Sequence, residues 1–302
     1  MNWFFLSVVA LLCWSGSDTF SKIGCREKDD KYAQYKMVIA VGIVMGLHAL
    51  TQILRGVEIS WSIILTYLPV SLLYISSMAL GYMGLRYIEL SISSPICNSS
   101  GALVAIIAIV TGTAGDMVPM QYLAIGLAAC GVIGLGFVEA NEDEALRAAR
   151  QQASNYKYAK SWLALALPIA YCLLDAAGTF ADALVLEKIN EDSANVAYEL
   201  TFMVAGILCF LYVVIFKEQK MVRRFEIPKY IGASFETVGQ LAYIYAIADT
   251  EHVAMAAPII SSYCTASVLW GRIFLKEKLS WKHYVCIALT VTGIVIMGIF
   301  DM

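Results

Sequence analysis

Apolar residues run through this chain in long blocks separated by short polar stretches. Ten blocks are long enough for a bilayer-crossing helix, which takes about 20 apolar residues. They fall at roughly 2–22, 36–54, 61–85, 90–112, 118–138, 161–187, 195–216, 228–248, 252–274 and 281–300. The expectation is an all-α membrane protein of ten transmembrane helices, with no stretch left over for a soluble domain. Polar residues inside the blocks are few and clustered. Asp18 interrupts the first block, SISSPICNSSGA opens the fourth, and ASFETVGQLAYIY lies in the eighth.

The pattern also repeats. Tyr82 to Gly136 and Tyr245 to Gly298 share an order of helix end, polar hinge, proline-containing helix, turn and last helix. A shift of 163 lays Tyr245 on Tyr82, Pro258 on Pro95, Ile259 on Ile96 and Ser262 on Ser99. Past the turn a shift of 162 lays Tyr284, Gly293 and Gly298 on Tyr122, Gly131 and Gly136. Such internal similarity outranks any local reading. It divides the chain into a first five-helix repeat at 1–138, a linker at 139–160 and a second repeat at 161–302. The linker is acidic, then basic, and rich in helix formers, as suits a short helix on the membrane surface.

Composition agrees: 60% apolar with 15% charged residues is far from a soluble domain. The placement of charge says more than its sum. Loops 22–36, 86–89, 139–160, 217–229 and 272–283 carry 19 of the 21 Lys and Arg, leaving Arg55 and Lys188 on the other face. Cytoplasmic loops are the basic ones, so both termini are expected on the non-cytoplasmic side. Equivalent loops of the two repeats then lie on opposite faces, the plan of an inverted five-plus-five repeat. The first block lacks the basic flank and cleavage pattern of a signal peptide, so it is expected to remain as a helix. Trp3, Trp61, Trp162 and Trp281 stand at the starts of spans, where indole suits the interface.

The two hinges (GLRYIELSISSP and AIADTEHVAMAAP), the RIFLKEKLS turn and the Trp14-Ser-Gly-Ser first helix together resemble the drug/metabolite transporter superfamily, most closely its EamA-type branch. The first-half turn, TGTAGDMVP, departs from that pattern by lacking the acidic-basic signature. The resemblance implies a central cavity between helices 1, 3, 4 and 6, 8, 9, with helices 5 and 10 at the periphery. It implies export of metabolites, amino acids or amphiphilic cations. Members usually have cytoplasmic termini, against the charge count here.

Acids inside a span are costly and point to function. Asp18, Asp175 and Glu236 are the carboxylates expected in the interior, although Asp18 could instead hydrogen-bond a neighbouring helix near its cytoplasmic end. Asn98, Ser94, Ser261 and Gln240 are expected to supply hydrogen bonds. Trp14, Tyr74, Tyr171 and Tyr243 are expected as walls, with Glu236, Gln240 and Tyr243 on one helical face. Asp182 and Glu187 read as interfacial, Glu199 as close to the outer interface, and His48 as a hydrogen-bonded packing residue rather than a proton carrier. No Lys or Arg is expected as deep as these acids.

An unpaired carboxylate in a low dielectric takes up a proton or waits for a cation. The chemistry expected is therefore secondary active transport of a small cationic or zwitterionic, amphiphilic or amino-acid-like metabolite, coupled to protons or another ion, by alternating access. An uncoupled facilitator or channel for small organic solutes is the alternative. The chain shows no HExxH, no Ser/His pair and no His/Asp cluster, so an enzyme is not expected. No cofactor, metal or nucleic-acid partner is expected. A fused repeat has no need of a second copy, so a monomer is expected, in the cell (inner) membrane.

Overall fold

Residues 2–25, 29–87, 96–114, 116–141, 163–274 and 279–300 are described in the structure, a computed structural model. Among them helices alternate with short turns and no strand occurs. The helices are α1 (Trp3–Cys25), α2 (Ala33–Leu54), α3 (Trp61–Tyr87), α4 (Ser100–Thr111), α5 (Pro119–Ala140) and α6 (Leu163–Leu186). After them come α7 (Glu191–Phe210, continued by a π-helical turn Leu211–Phe216), α8 (Arg223–Ile247), α9a (Val253–Ser261), α9b (Tyr263–Phe274) and α10 (Trp281–Ile299).

Eight helical segments are long and apolar enough to cross a membrane, Thr250–Trp270 among them. The segment Ile96–Thr111 is apolar but shorter. Helix α8 is not among them; it carries Glu226, Lys229, Glu236 and Gln240, all buried against other helices. Large apolar side chains such as Leu54, Val110 and Phe216 point outward, as in a bundle whose solvent is lipid. Trp61 and Trp281 are exposed at the starts of α3 and α10, whereas Trp3 is buried and stacks on His252, a packing role in place of the expected anchor.

Helices of the first half pack on helices of the second. The main pairs are α1 with α8, α2 with α7, α3 with α6, α4 with α9a, and α5 with α10. Small residues decide how close they come. Gly42 and Gly206 meet at the α2–α7 crossing, where a Cβ on Gly42 would lie 2.9 Å from the Gly206 Cα and the Phe202 carbonyl. At the α5–α10 crossing Gly131 faces Cys286 and Thr290 while Gly293 faces Ala124 and Ala128. These two sets exchange under the 162-residue shift, so the crossing looks alike from either helix.

The fourth and ninth helices break at one repeat position. Ser99 and Ser262, 163 residues apart, have φ/ψ of −68°/−8° and −75°/7°. Each N–H bonds the carbonyl three residues back, Ile96 and Ile259, in place of four. At the second break Pro258 lies one turn back, and its missing N–H frees the Ala254 carbonyl rather than its own. The Ser262 hydroxyl in turn donates to the Pro258 carbonyl at 2.7 Å. The expected first hinge, Pro95 with Ser93 and Ser94, and most of the KEKLS turn and the 139–160 linker lie outside the described residues.

Candidate functional site

A cavity of about 90 Å³ lies where α1, α3, α6, α8 and the α9a–α9b break converge. Three carboxylates line it: Asp18 from α1, Asp175 from α6 and Glu236 from α8. The hydroxyl of Ser17 faces Glu236 and that of Ser100 faces Asp175. Gln240, Ser21 and Ser261 add polar edges, and no Lys or Arg is among the described residues that line the space.

Aromatic rings make its walls. Trp14 stacks on Tyr243 with centroids 5.2 Å apart and meets Tyr263 edge-on at 6.1 Å. The α8 glycine Gly239 permits this, because a Cβ there would lie 2.7 Å from the Trp14 indole nitrogen. Tyr171 on α6 packs over Gly81 of α3, and Tyr74 over Gly178 of α6. The Trp270 indole N–H donates to the Ser15 hydroxyl at 2.8 Å, tying α9b to α1.

The expected site residues separate into groups. Asp18, Asp175, Glu236, Gln240, Ser261, Trp14, Tyr74 and Tyr171 all line the one cavity. Tyr243 stands behind it, against Trp14 and Tyr74. Asn98 lies apart, buried in a small void against α5 and Pro258. Ser94 falls outside the described residues. Tyr82, Tyr198, Tyr263 and Met78 also line the cavity and are not among the residues expected there. Tyr74, Met78 and Tyr82 recur every fourth residue on α3, a spacing that places them on one face.

Asp182, read from its position as interfacial, is enclosed by other helices. It is fully buried and accepts a hydrogen bond from the Tyr67 hydroxyl at 2.7 Å. Next to this pair Tyr74 donates to the Thr179 hydroxyl at 3.0 Å and touches the Tyr243 hydroxyl through a short contact. The spacing of Asp175, Thr179 and Asp182 marks one face of α6 and was the available signal. Glu199 is likewise fully buried, bonded to His48 Nδ1 at 2.8 and 2.9 Å between α7 and α2. His48 thus has the packing partner expected of it, and Glu199 is covered by protein.

Buried cations do occur, away from the cavity. Lys36 and Lys229 each pair with Asp30, at 2.7 and 2.8 Å, and Glu226 lies 3.6 and 3.4 Å from them. This cluster joins the start of α2, the start of α8 and the loop after α1. Burial alone would raise the Asp30 carboxyl, but the hydrogen bonds and charges of Lys229 and Lys36 win and hold it below the usual carboxylate range.

Residues 162–299 match the model of the EamA-like transporter family. One solved crystal structure is similar in fold, with a TM-score of 0.62 and 15% identity over 98% of this chain and 96% of that one. No curated protein matches. With eight helical segments of membrane-crossing length and this match over residues 162–299, the chain is a multi-pass membrane protein whose second half is similar to the EamA-like transporter family, part of the drug/metabolite transporter superfamily.

Proposed function

We propose that this protein is a secondary active transporter for a small cationic or zwitterionic organic metabolite, exchanged against protons by alternating access. The observation that carries the reading is the convergence of Asp18, Asp175 and Glu236 on one aromatic-walled cavity with no lining Lys or Arg among the described residues. An anionic substrate would leave three carboxylates facing like charge in a low dielectric. A cation offsets that cost, and aromatic faces add about 0.5–2 kcal/mol to its binding.

The cross-half helix pairs, the exchangeable Gly131–Gly293 crossing and the matched breaks at Ser99 and Ser262 support a ten-helix inverted repeat divided at 139–160. Helices broken near mid-membrane are where such transporters hold their ligands. Ser261 and Tyr263 flank the second break and both line the cavity. The charge asymmetry of the loops supports termini on the non-cytoplasmic face of the cell membrane, and a fused repeat works as a monomer.

The test is a thermal-shift panel on purified protein at about pH 5.5 and about pH 8, on either side of the ordinary histidine range. It includes amino acids, polyamines, aromatic quaternary cations, nucleobases and sugar phosphates. A bound ligand at 100 times its Kd stabilises by about 2.7 kcal/mol. The expected outcome is stabilisation by a cation, stronger at the higher pH and absent in Asp175→Asn and Glu236→Gln. Stabilisation by anions alone, unchanged in those variants, would sink the cation reading.

A further inference from the structure

Asp182 stands outside the cavity yet deeper than any other acid on α6. It is seven residues beyond Asp175, about 10 Å along the helix at 1.5 Å per residue. It does not line the cavity, whereas Tyr74 does. Tyr74, through its contact with Tyr243 and its bond to Thr179, therefore separates the two carboxylates. The Asp182 Oδ1 accepts from Tyr67, and Oδ2 has no hydrogen-bond partner. No Lys, Arg or His among the described residues forms an ion pair with it. The titratable groups around it are Tyr67 and Tyr74 of α3, Tyr198 of α7 and Tyr243 of α8, with Asp175 on its own helix.

A fully buried carboxylate whose neighbours are the neutral hydroxyls of Tyr67 and Tyr243, with no cation, is not a stable arrangement when ionised. Removing an ion from water costs several kcal/mol, and neutral tyrosine hydroxyls return only part of it. A proton on Oδ2 removes the charge and leaves the Tyr67 bond to Oδ1 in place. The open oxygen is thus the place where that proton fits.

We propose that Asp182 is a second proton-binding site, separated from the substrate cavity by the Tyr74–Tyr243 contact, whose protonation holds that side of the bundle shut. This rests on the alternating-access reading of the cavity. Protonated, Asp182 sits dry behind the three tyrosines. Ionised, it calls for water, which enters only by parting Tyr67 from α6 and Tyr74 from Tyr243. The coupling proton then controls an opening at one end while the substrate occupies Asp175 and Glu236 at the other.

Infrared difference spectra between about pH 5 and about pH 9, recorded on the full chain in lipid nanodiscs, read the protonated carboxyl directly. One C=O band is expected to persist in the triple variant Asp18→Asn/Asp175→Asn/Glu236→Gln and to vanish in Asp182→Asn. In Tyr67→Phe the same band should shift in frequency, because the carboxyl loses its hydrogen-bond donor. Spectra of Asp182→Asn that superimpose on wild type overturn the proposal. If Asp182→Asn does not fold, an unshifted spectrum in Tyr67→Phe overturns it equally. Binding of tetraphenylphosphonium, followed in parallel, reports on the cavity alone. Its retention in Asp182→Asn with an unchanged band condemns only the second site. Its absence in wild type, with the band lost in Asp182→Asn, counts against the cation reading and leaves the second site standing.

Discussion

Lys229 shows how much a single buried side chain can carry here. It is fully buried, pairs with Asp30 at 2.8 Å, and donates to the Phe225 carbonyl at the same distance. Removing one partner of such a pair leaves a stranded charge, so Lys229→Met is expected to cost about 3–5 kcal/mol and to lower the melting temperature in detergent. The pH dependence has a definite sign. The Asp30 pKa is lowered in the native state, so its contribution is complete above the ordinary carboxylate value of about 3.9. It is lost as pH falls through the lowered native value. The melting-temperature gap between wild type and Asp30→Asn should be flat at neutral pH and close only in acid. A gap that widens in acid contradicts the assigned role. The cavity acids were legible in the sequence because an acid inside an apolar block has few bland explanations. Lys36, Lys229 and Asp182 were not, because position along a span says how close a residue lies to the end and nothing about which helix covers it.

Helix crossings obey steric limits that a linear pattern only hints at. At Gly131 an added Cβ would collide with the Thr290 hydroxyl and lie 2.7 Å from the Cys286 carbonyl. At Gly293 it would lie 2.5 Å from the Ala124 carbonyl. Backbone oxygens cannot turn aside, so Gly131→Ala and Gly293→Ala should each cost about 1–3 kcal/mol by overpacking. Once one has forced α5 and α10 apart, the second should cost less, and a double-mutant cycle on unfolding free energies measures that coupling. Additive losses would mean that the two glycines do not share a crossing. The repeat paired Gly131 with Gly293 and Ser99 with Ser262, since residues that recur at one shift occupy one structural role, although it set its hinges earlier and gave no break at the serines. It did not foretell that Asn98 and Ser261, both polar residues near a break, end up in different places. One helix rotation separates a residue facing the cavity from one facing α5, and rotation is set by packing partners. The polar α8 is the converse case. Its charges weaken it as a membrane span while placing Glu236 and Gln240 at the cavity.

For the whole molecule, orientation in the membrane decides which end does what. Lys36 and Lys229 stand among the basic loop residues, yet the structure shows both buried and neutralised by Asp30 and Glu226. Setting them aside leaves the asymmetry intact, because only Arg55 and Lys188 stand on the other face. In the proposed orientation the ionic cluster lies at the cytoplasmic end and the Tyr67–Asp182 pair towards the outside. A phosphatase fused after Met302 should therefore be active, and one fused in the 217–222 loop silent, in cells that secrete the enzyme only when it is exported. The reverse pattern would place Asp182 towards the cytoplasm. The two buried clusters also differ in kind: one is made of tyrosine hydroxyls and a carboxyl, the other of paired full charges. A carboxyl that must gain or lose a proton is matched to an end exposed to changing pH. A lysine–carboxylate cluster, held together by paired full charges, is matched to a buffered cytoplasm. The fusion pair tests that assignment directly, since it asks which compartment each cluster faces.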